Sequence, residues 1–444
     1  MKQESFAVTA AAPIVNWRTH LSLLLLALVY VFSYIDRNVI AILIEPIKRE
    51  FGASDTAMGL LTGLAFGVLY AVMGIPLGRL ADQGFNRRNL VAIACGLWSL
   101  ATMACGVAGQ FWQLMIARMT VAIGEAGGMA PSMSMVSDLY PKERRSMVIS
   151  LFMMGPHIGM ILAMALGGWI AQQHGWRATF LFFGVPGIVL AALLWLLVRE
   201  PRRGGFDSAP AAAASPALPL LAQLRALLSI RAFLLVCLAC GLGGIAGYGY
   251  GIWGPSFLMR SHDLPLAQAG LLFGLASGLG AASGAIFGGW YCDRLTRRDP
   301  RWQIRLPMLG AILGLPMGFA FLLWPAGNWQ LGSLAVPHAM VFAVGFGFFN
   351  AWWPPLCYAA TSHMMAPNQR ALGAAMLNLF LTLFGAGLGP LLSGALSDLF
   401  VSRFGPGSLR YALLVTLCLL GISALLLGRG IQDYVRRLDA LKAG

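Results

Sequence analysis

Two acids and two arginines occupy stretches of this sequence that should hold no charge at all. Asp36 and Arg37 lie about fifteen residues into an apolar run that begins near Leu21, and Arg118 and Glu125 lie in another that begins near Trp112. An ionisable group in the middle of a membrane span costs ~2.5 to 3.5 kcal/mol even on the lenient insertion scale, so each of the four needs a partner or water. On a helix, neighbouring residues point about 100° apart, which sends Asp36 and Arg37 to different neighbours. Arg118 and Glu125, seven residues apart, share one face. A cluster drawn from these two spans is neutral with both acids ionised and positively charged once they take up protons. Burial and the arginines pull the acids' proton affinity in opposite directions, so protonation is the expected switch, and the guanidinium groups then favour an anionic or zwitterionic headgroup. The competing reading is a permanently ionised bridge that only fixes helix packing.

The second half of the chain has no Lys, Arg, Asp or Glu deep in an apolar run; Asp398 is close to a predicted end. Its share of a binding site is therefore expected to be apolar and aromatic. Candidates are Tyr248, Tyr250 and Trp253 in the glycine-rich stretch GYGYGIWGP, and Asn350, Trp352 and Trp353 ahead of Pro354 and Pro355. Met129 and Met133 begin a methionine-rich series that would make an adaptable surface, though plain packing is the stronger reading of methionine in a membrane bundle. His157 could join a proton pathway or simply bond a carbonyl. GLGGIAGYG has no strand before it or acid after it, and there is no GxxxxGK[ST], so neither a dinucleotide nor ATP is implied. Cys237 and Cys240 lack a second ligand pair, and all seven cysteines fall in or at the ends of apolar runs, which argues against a disulfide framework or a metal. No cofactor and no enzyme chemistry are expected.

These residues must be positioned by membrane-spanning helices. The 444 residues are 58% hydrophobic and only 11% charged, against ~25% charged in soluble proteins. Apolar runs begin near Leu21, Thr56, Leu90, Trp112, Met147, Trp176, Ala232, Ala267, Leu306, Leu334, Ala371 and Tyr411, each long enough for the ~20 residues a span needs. Residues 1–198 form a first six-helix bundle and 232–428 a second. The stretch 199–231, which contains SAPAAAASPALPL, reads as a flexible cytoplasmic linker, and 429–444 as a cytoplasmic tail that is surface-bound or free in water. With both termini cytoplasmic, 23 of the 31 Lys and Arg fall on the cytoplasmic side, six on the other and two in the membrane. The positive-inside rule thus fixes the orientation and accounts for the net charge of +14 without nucleic acid. The first apolar run is long enough to be retained as a span rather than cleaved as a signal. Only four of the basic residues are lysine, a bias that points to a bacterial inner membrane.

The two halves are duplicates. GLLTGLAFG at Gly59–Gly67 recurs as GLLFGLASG at Gly270–Gly278, identical at seven of nine positions. The same offset of 211 carries Gly78-x-x-x-Asp82 onto Gly289-x-x-x-Asp293, each followed by an arginine pair, Arg87/Arg88 and Arg297/Arg298. Parallel duplicated halves place a substrate site between them near the bilayer midplane. The glycines spaced four apart let helices approach closely, whether to slide or only to pack.

GRLADQGFNRR at Gly78–Arg88 resembles the signature loop of the major facilitator superfamily, with Gln83 where a basic residue is usual. Arg118 followed by Gly124 is similar to that superfamily's fourth-helix motif, and GWRATF at Gly175–Phe180 is a common companion. The resemblance runs over essentially the whole chain. It implies an all-α integral membrane fold of twelve transmembrane helices in two pseudo-symmetric six-helix bundles, acting as a monomer. It implies gating roles for Gly78, Asp82, Arg87, Arg88, Asp293 and Arg297, the two aspartates each capping a helix of the other half and stabilising an outward-facing state. Within the superfamily, YIDR at Tyr34–Arg37 and IGEAGGMAP at Ile123–Pro131 resemble the spinster family, whose animal members move lysophospholipids and sphingosine phosphate. Those motifs cover the first half only, and Gly127, Gly128 and Met129 stand where the animal members carry Ser-Tyr-Ser. The resemblance implies that Asp36, Arg37, Arg118 and Glu125 form a proton-coupled core. The expected function is proton-coupled transport of an amphiphile by alternating access, with the two arginines and the aromatic and methionine candidates above touching substrate. A multidrug or small organic-anion exporter, and a non-transporting lipid receptor or scramblase, are the alternatives.

Overall fold

The computed structural model describes residues 16–204, 220–332, 334–366 and 369–443; all of the linker's SAPAAAASPALPL stretch but its last residue lies outside them. Among the described residues nine helical stretches are long and apolar enough to cross a membrane. Two of the nine hold two passes each. The helix α8 (Gly155–Leu197) would be roughly 65 Å long if straight, twice the ~30 Å hydrocarbon core, but Gly175 at φ 82°, ψ 163° breaks it into spans five and six. Spans eleven and twelve are likewise divided, by a short 3-10 turn at Gly405–Gly407. The fourth span is broken at Gly127–Gly128 into α5 (Phe111–Ala126) and α6 (Met129–Leu139), and completes twelve.

In the first half, span one is α1 (Trp17–Phe51), started by an Asn16 capping box and stopped by Gly52 in the left-handed conformation. Span two comprises α2 (Asp55–Gly59), a π-helical turn at Leu60–Leu64 and α3 (Ala65–Asp82). Then come α4 (Arg87–Gly106), the broken fourth span, α7 (Lys142–Phe152) and α8. The linker contains a helix, α9 (Leu220–Leu228), whose Leu227 is buried in the second half. The second half continues with α10 (Arg231–His262), α11 (Leu266–Thr296) and α12 (Trp302–Leu323). Span ten, expected from Leu334, instead follows a hairpin of β1 (Asn328–Leu331) and β2 (Leu334–Pro337), turned at Gly332, φ 63°. Its helical part is α13 (Met340–Asn350) and α14 (Trp353–Met364). Span eleven is α15 (Arg370–Phe380), a π-helical turn at Leu381–Leu388 and α16 (Gly389–Phe404), and span twelve is α17 (Ser408–Ala443).

The expected tail is a direct continuation of α17. It is held against the second half: Tyr434 is buried with its hydroxyl 3.3 Å from His363 Nδ1, Arg437 donates to the Met364 carbonyl, and Asp433 pairs with Arg231. An amphipathic stretch that finds apolar protein beside it has no need of the bilayer surface.

An even number of passes puts both chain ends on one face, here termed the terminal face; the other is the distal face. The duplicated glycine stripes meet the opposite half in symmetry-related places. A Cβ on Gly59 or Gly63 would stand 2.5 or 2.4 Å from the carbonyl oxygens of Pro390 and Gly387, and one on Gly270 would stand 2.2 Å from that of Met164. Only glycine permits this approach of span two to eleven and of eight to five. All these contacts lie in the distal portion of the spans. Towards the terminal face, Gly74, Gly78 and Gly289 look into open space among the described residues. The halves are therefore closed together distally and parted at the terminal end.

Candidate functional site

Between the halves lies a cavity of about 450 Å³. The first half contributes Ser33, Tyr34 and Arg37 of α1, Tyr70 of α3, Trp98 of α4, and Glu125 and Met129 at the break in the fourth span. That break is shaped by close approach: a Cβ on Gly124 would stand 2.8 Å from the Trp98 backbone nitrogen, so α4 and α5 touch there and Glu125 is delivered at the end of α5. Arg37 donates to Glu125 Oε2 from Nε at 3.2 Å and from Nη2 at 2.8 Å, and Ser33 Oγ donates to the same oxygen at 3.2 Å. The guanidinium lies 4.6 to 5.2 Å from the ring centres of Tyr34, Phe66 and Tyr70, an aromatic sleeve that stabilises a cation. Arg37 keeps 22% of its side-chain surface accessible, whereas Glu125 is fully enclosed and its Oε1 has no hydrogen-bond partner among the described residues.

Asp36 and Arg118 sit behind this wall rather than in it. Arg118 is buried and spends its two terminal nitrogens on the backbone carbonyls of Asp36, at 2.7 Å, and Arg37, at 2.9 Å, with its charge 4.8 Å from the Phe66 ring centre. It pins the backbone that carries both α1 charges and does not reach the cavity, contrary to its expected contact with substrate. Asp36 is 1% exposed, and neither carboxyl oxygen has a hydrogen-bond partner among the described residues. The charges that act on it are those of Glu125 and Arg118. No charged group donates to its carboxyl, and the Thr102 hydroxyl is its polar neighbour.

The second half lines the cavity differently from the expectation. Tyr248 is there, but Tyr250 is not: two residues on a helix point about 200° apart, and Tyr250 faces the bundle interior against Phe273, Phe321 and Phe346. Trp253 is fully buried and donates to the Pro390 carbonyl at 2.9 Å. Trp352 stacks on Phe287 and meets Phe348 and Phe349 edge-on, and Trp353 donates to Asn350 Oδ1 at 3.0 Å, so this trio braces the junction of α13 and α14. Met133 packs against the apolar core of the first half. The wall is made instead by Tyr248, Tyr358, Asn378, Leu381 and Thr382, with the Tyr358 hydroxyl 2.9 Å from Asn378 Oδ1. Neutral hydroxyl and amide groups on an apolar background were invisible to a search for charge. His157 is half-buried on α8, outside the cavity lining.

The gating residues expected at the terminal face make no bond across the halves among the described residues. Arg87 is buried and donates to Asp138 at 2.6 Å, Glu200 at 2.7 Å, Ser134 at 2.7 Å and the Pro201 carbonyl at 2.8 Å, all in or just after its own half. Arg88 bonds Asn89 and the Val198 carbonyl. Asp293 and Arg297 are exposed, and the side chain of Asp82 lies outside the described residues. Among the described residues no hydrogen bond from an expected gating residue joins the halves there. Cross-half bonds are found at the distal face instead, from Arg260 to Glu45 and Asp55, from Ser397 to Asp55, from the Asp55 and Thr56 nitrogens to Asp398, and from the Ala267 nitrogen to Gln172. Acids and bases at the ends of four different spans were the available signal for them.

The sequence model of the Major Facilitator Superfamily matches residues 26–354. An MFS-type efflux pump of Mycolicibacterium smegmatis is 33% identical over 390 residues, covering 88% of this chain and 87% of that one. The sphingosine-1-phosphate transporter SPNS2 of Mus musculus is 27% identical over 395 residues, covering 84% and 69%. Among solved structures, a bacterial homolog of the human lysosomal transporter spinster, in an inward-facing and unoccupied conformation, superposes with a TM-score of 0.83 at 28% identity, covering 95% of this chain and 98% of that one. The duplicated halves, the cavity between them and these relatives give one conclusion: the chain belongs to the Major Facilitator Superfamily and is a multi-pass membrane transporter related to the spinster proteins, not an enzyme.

Proposed function

We propose that this protein is a proton-coupled secondary transporter of an amphiphilic substrate, lysolipid-like or sphingolipid-like, working by alternating access. The observation that carries the reading is Asp36, a buried acid that no charged group hydrogen-bonds, one residue from the Arg37–Glu125 pair at the cavity wall. When the Asp36–Glu125 system takes up a proton, the local charge becomes more positive and Arg37 is freed in part from Glu125 to meet an anionic or zwitterionic headgroup. When the headgroup leaves, Glu125 recaptures Arg37 and the proton is released. Arg118 acts by holding the α1 backbone, so that Asp36 and Arg37 respond together. Tyr248, Tyr358, Asn378 and Thr382 offer the headgroup hydroxyl and amide partners from the facing half, and the glycine-lined interfaces give surfaces on which the halves rock. Asp82 and Asp293 would cap the opposite halves when the terminal face closes.

The positive-inside bias supports cytoplasmic termini in a bacterial inner membrane, with the terminal face as the cytoplasmic one. The conformation described here is then inward-facing, in keeping with the related structure. A monomer contains the whole site.

The reading is tested in proteoliposomes with a lysophospholipid as substrate. Asp36→Asn and Glu125→Gln each abolish the dependence of uptake on an imposed pH gradient while the purified proteins remain monodisperse. Unchanged coupling in both variants refutes it. The identity to an efflux pump favours a second reading, proton-coupled export of drugs or small organic anions through the same acids. Competition for binding between the lysolipid and cationic drugs separates the two.

A further inference from the structure

Asp36 is so enclosed that water cannot stand in for a protein partner, because neither of its carboxyl oxygens reaches solvent. The charged groups facing it come from α5, where Glu125 and Arg118 act on it through space. Arg118 spends its terminal nitrogens on backbone carbonyls rather than on this carboxyl. Arg37, next along α1, is turned to Glu125. From α4 come the thiols of Cys95 and Cys105, near enough to feel its charge, and one hydroxyl, that of the buried Thr102.

A hydroxyl in the middle of a membrane helix can close on a carbonyl three or four residues back in its own helix. The buried Ser22, Thr62, Ser393 and Thr416 all do so, at 2.8 to 3.0 Å. Thr102 does not bond its own helix. A buried hydroxyl and a buried carboxyl, each without another partner among the described residues, therefore stand beside each other. Leaving either unmatched is costly, and pairing them satisfies both. A threonine hydroxyl is one donor and two acceptors on a single rotor. It donates to the ionised carboxylate; once the carboxyl takes up a proton, the rotor turns and the same oxygen accepts from the acid's O–H. The acid gains one proton and the hydroxyl keeps its own. An arginine in that place could only donate.

We propose that Thr102 is a positioning residue of the proton site, a two-way hydrogen-bond partner that keeps Asp36 satisfied in both charge states and sets the pH at which it passes between them. The inference rests on the proton-coupled reading and adds to it a group that no charge marks. A hydrogen bond to a charged acceptor is stronger than one between neutral groups, so the hydroxyl favours the ionised form of Asp36 over the protonated one. Without that hydroxyl the acid keeps its proton to higher pH.

The experiment measures the pH at which lysophospholipid uptake into proteoliposomes is half-maximal. Thr102→Val, which keeps the shape and removes the hydroxyl, moves that pH upward by roughly one unit, and Thr102→Ser returns it to the native value. Thr102→Cys, similar in size but a weak donor, shifts it in the same direction and keeps the test decisive where valine does not yield folded protein. Thr416→Val removes an equally buried hydroxyl that is spent within its own helix, and leaves the profile unchanged. An unmoved midpoint in folded Thr102→Val, where Asp36→Asn abolishes coupling, overturns this proposal and leaves the transport reading standing. A shift that serine fails to reverse does the same. Coupling that survives Asp36→Asn removes the proton reading and this proposal with it.

Discussion

The two walls of the central cavity come from halves that still share seven of nine residues in one stretch, yet they have divided the work. The first-half wall and the layer behind it hold two acids and two arginines, and the second-half wall holds only neutral hydroxyl, amide and apolar groups. Duplication preserved the glycine stripes that bring the halves into close contact, and released the positions that carry charge. The lesson is that charge in a membrane interior is concentrated where a network can satisfy it, because each additional buried charge raises the cost of every imperfectly paired neighbour. Shape and hydrogen bonding can then be supplied by the other half at little cost.

The comparison is tested most severely at Arg37. Arg37→Ala leaves Glu125 enclosed with its Oε2 bonded only to Ser33. Breaking one partner of a buried ion pair costs ~3–5 kcal/mol, so uptake is expected to fall by roughly 100-fold or more, as measured by initial rates in proteoliposomes. Glu125→Gln in the same chain should recover expression and thermal stability without recovering coupling, because it removes the stranded charge and not the need for it. Transport that survives Arg37→Ala would mean that the charged wall is only a packing device.

The second-half wall should respond by degree. Tyr358→Phe and Asn378→Ala each remove one side of the 2.9 Å bond between them. A neutral hydrogen bond to a ligand is worth ~0.5–1.5 kcal/mol, so KM for substrate should rise roughly threefold to tenfold. The pH at which uptake is half-maximal should stay where it is in the native protein. A shift of that pH profile by either substitution would place proton coupling in both halves and dissolve the contrast.

How much of this was legible beforehand follows the same division. The spans could be read because runs of ~20 consecutive apolar residues are the length that crosses a bilayer and are rare in chains that stay in water. Asp36, Arg37, Arg118 and Glu125 stood out because charge inside such runs is expensive. Tyr358, Asn378 and Thr382 carry no such penalty, and nothing in their spacing distinguishes them from the many polar residues that close a hydrogen bond within the bundle. The aromatic candidates failed for a related reason: Tyr250, Trp253 and Trp352 are large side chains that fill a helix bundle as readily as they line a cavity. The distal network was hidden by its location, since Lys48, Asp55, Arg260 and Asp398 lie at span ends where solvated charge is ordinary. Their partners are up to 343 residues away in sequence, and only the closed arrangement of the halves shows that they meet. The second strand of the hairpin, Leu334–Pro337, falls in the expected tenth span because its Leu, Ala and Val are apolar enough to count, while Gly332 and Pro337 define the hairpin's turn and its end.

Tyr250 offers the smallest effect and the finest discrimination between wall and core. Its hydroxyl is buried and has no hydrogen-bond partner among the described residues, and three phenylalanine rings lie with centres 4.2 to 5.4 Å from its own. A buried hydroxyl without a partner is a cost to the folded state, so Tyr250→Phe should leave uptake kinetics unchanged and raise the unfolding temperature slightly, by an amount worth about 1 kcal/mol or less. Tyr248→Phe, two residues away and on the cavity wall, should do the reverse, raising KM with no gain in stability. If the two substitutions affected transport alike, the assignment of opposite faces of α10 to cavity and core would be wrong, and the neutral wall would have to be redrawn around Tyr250.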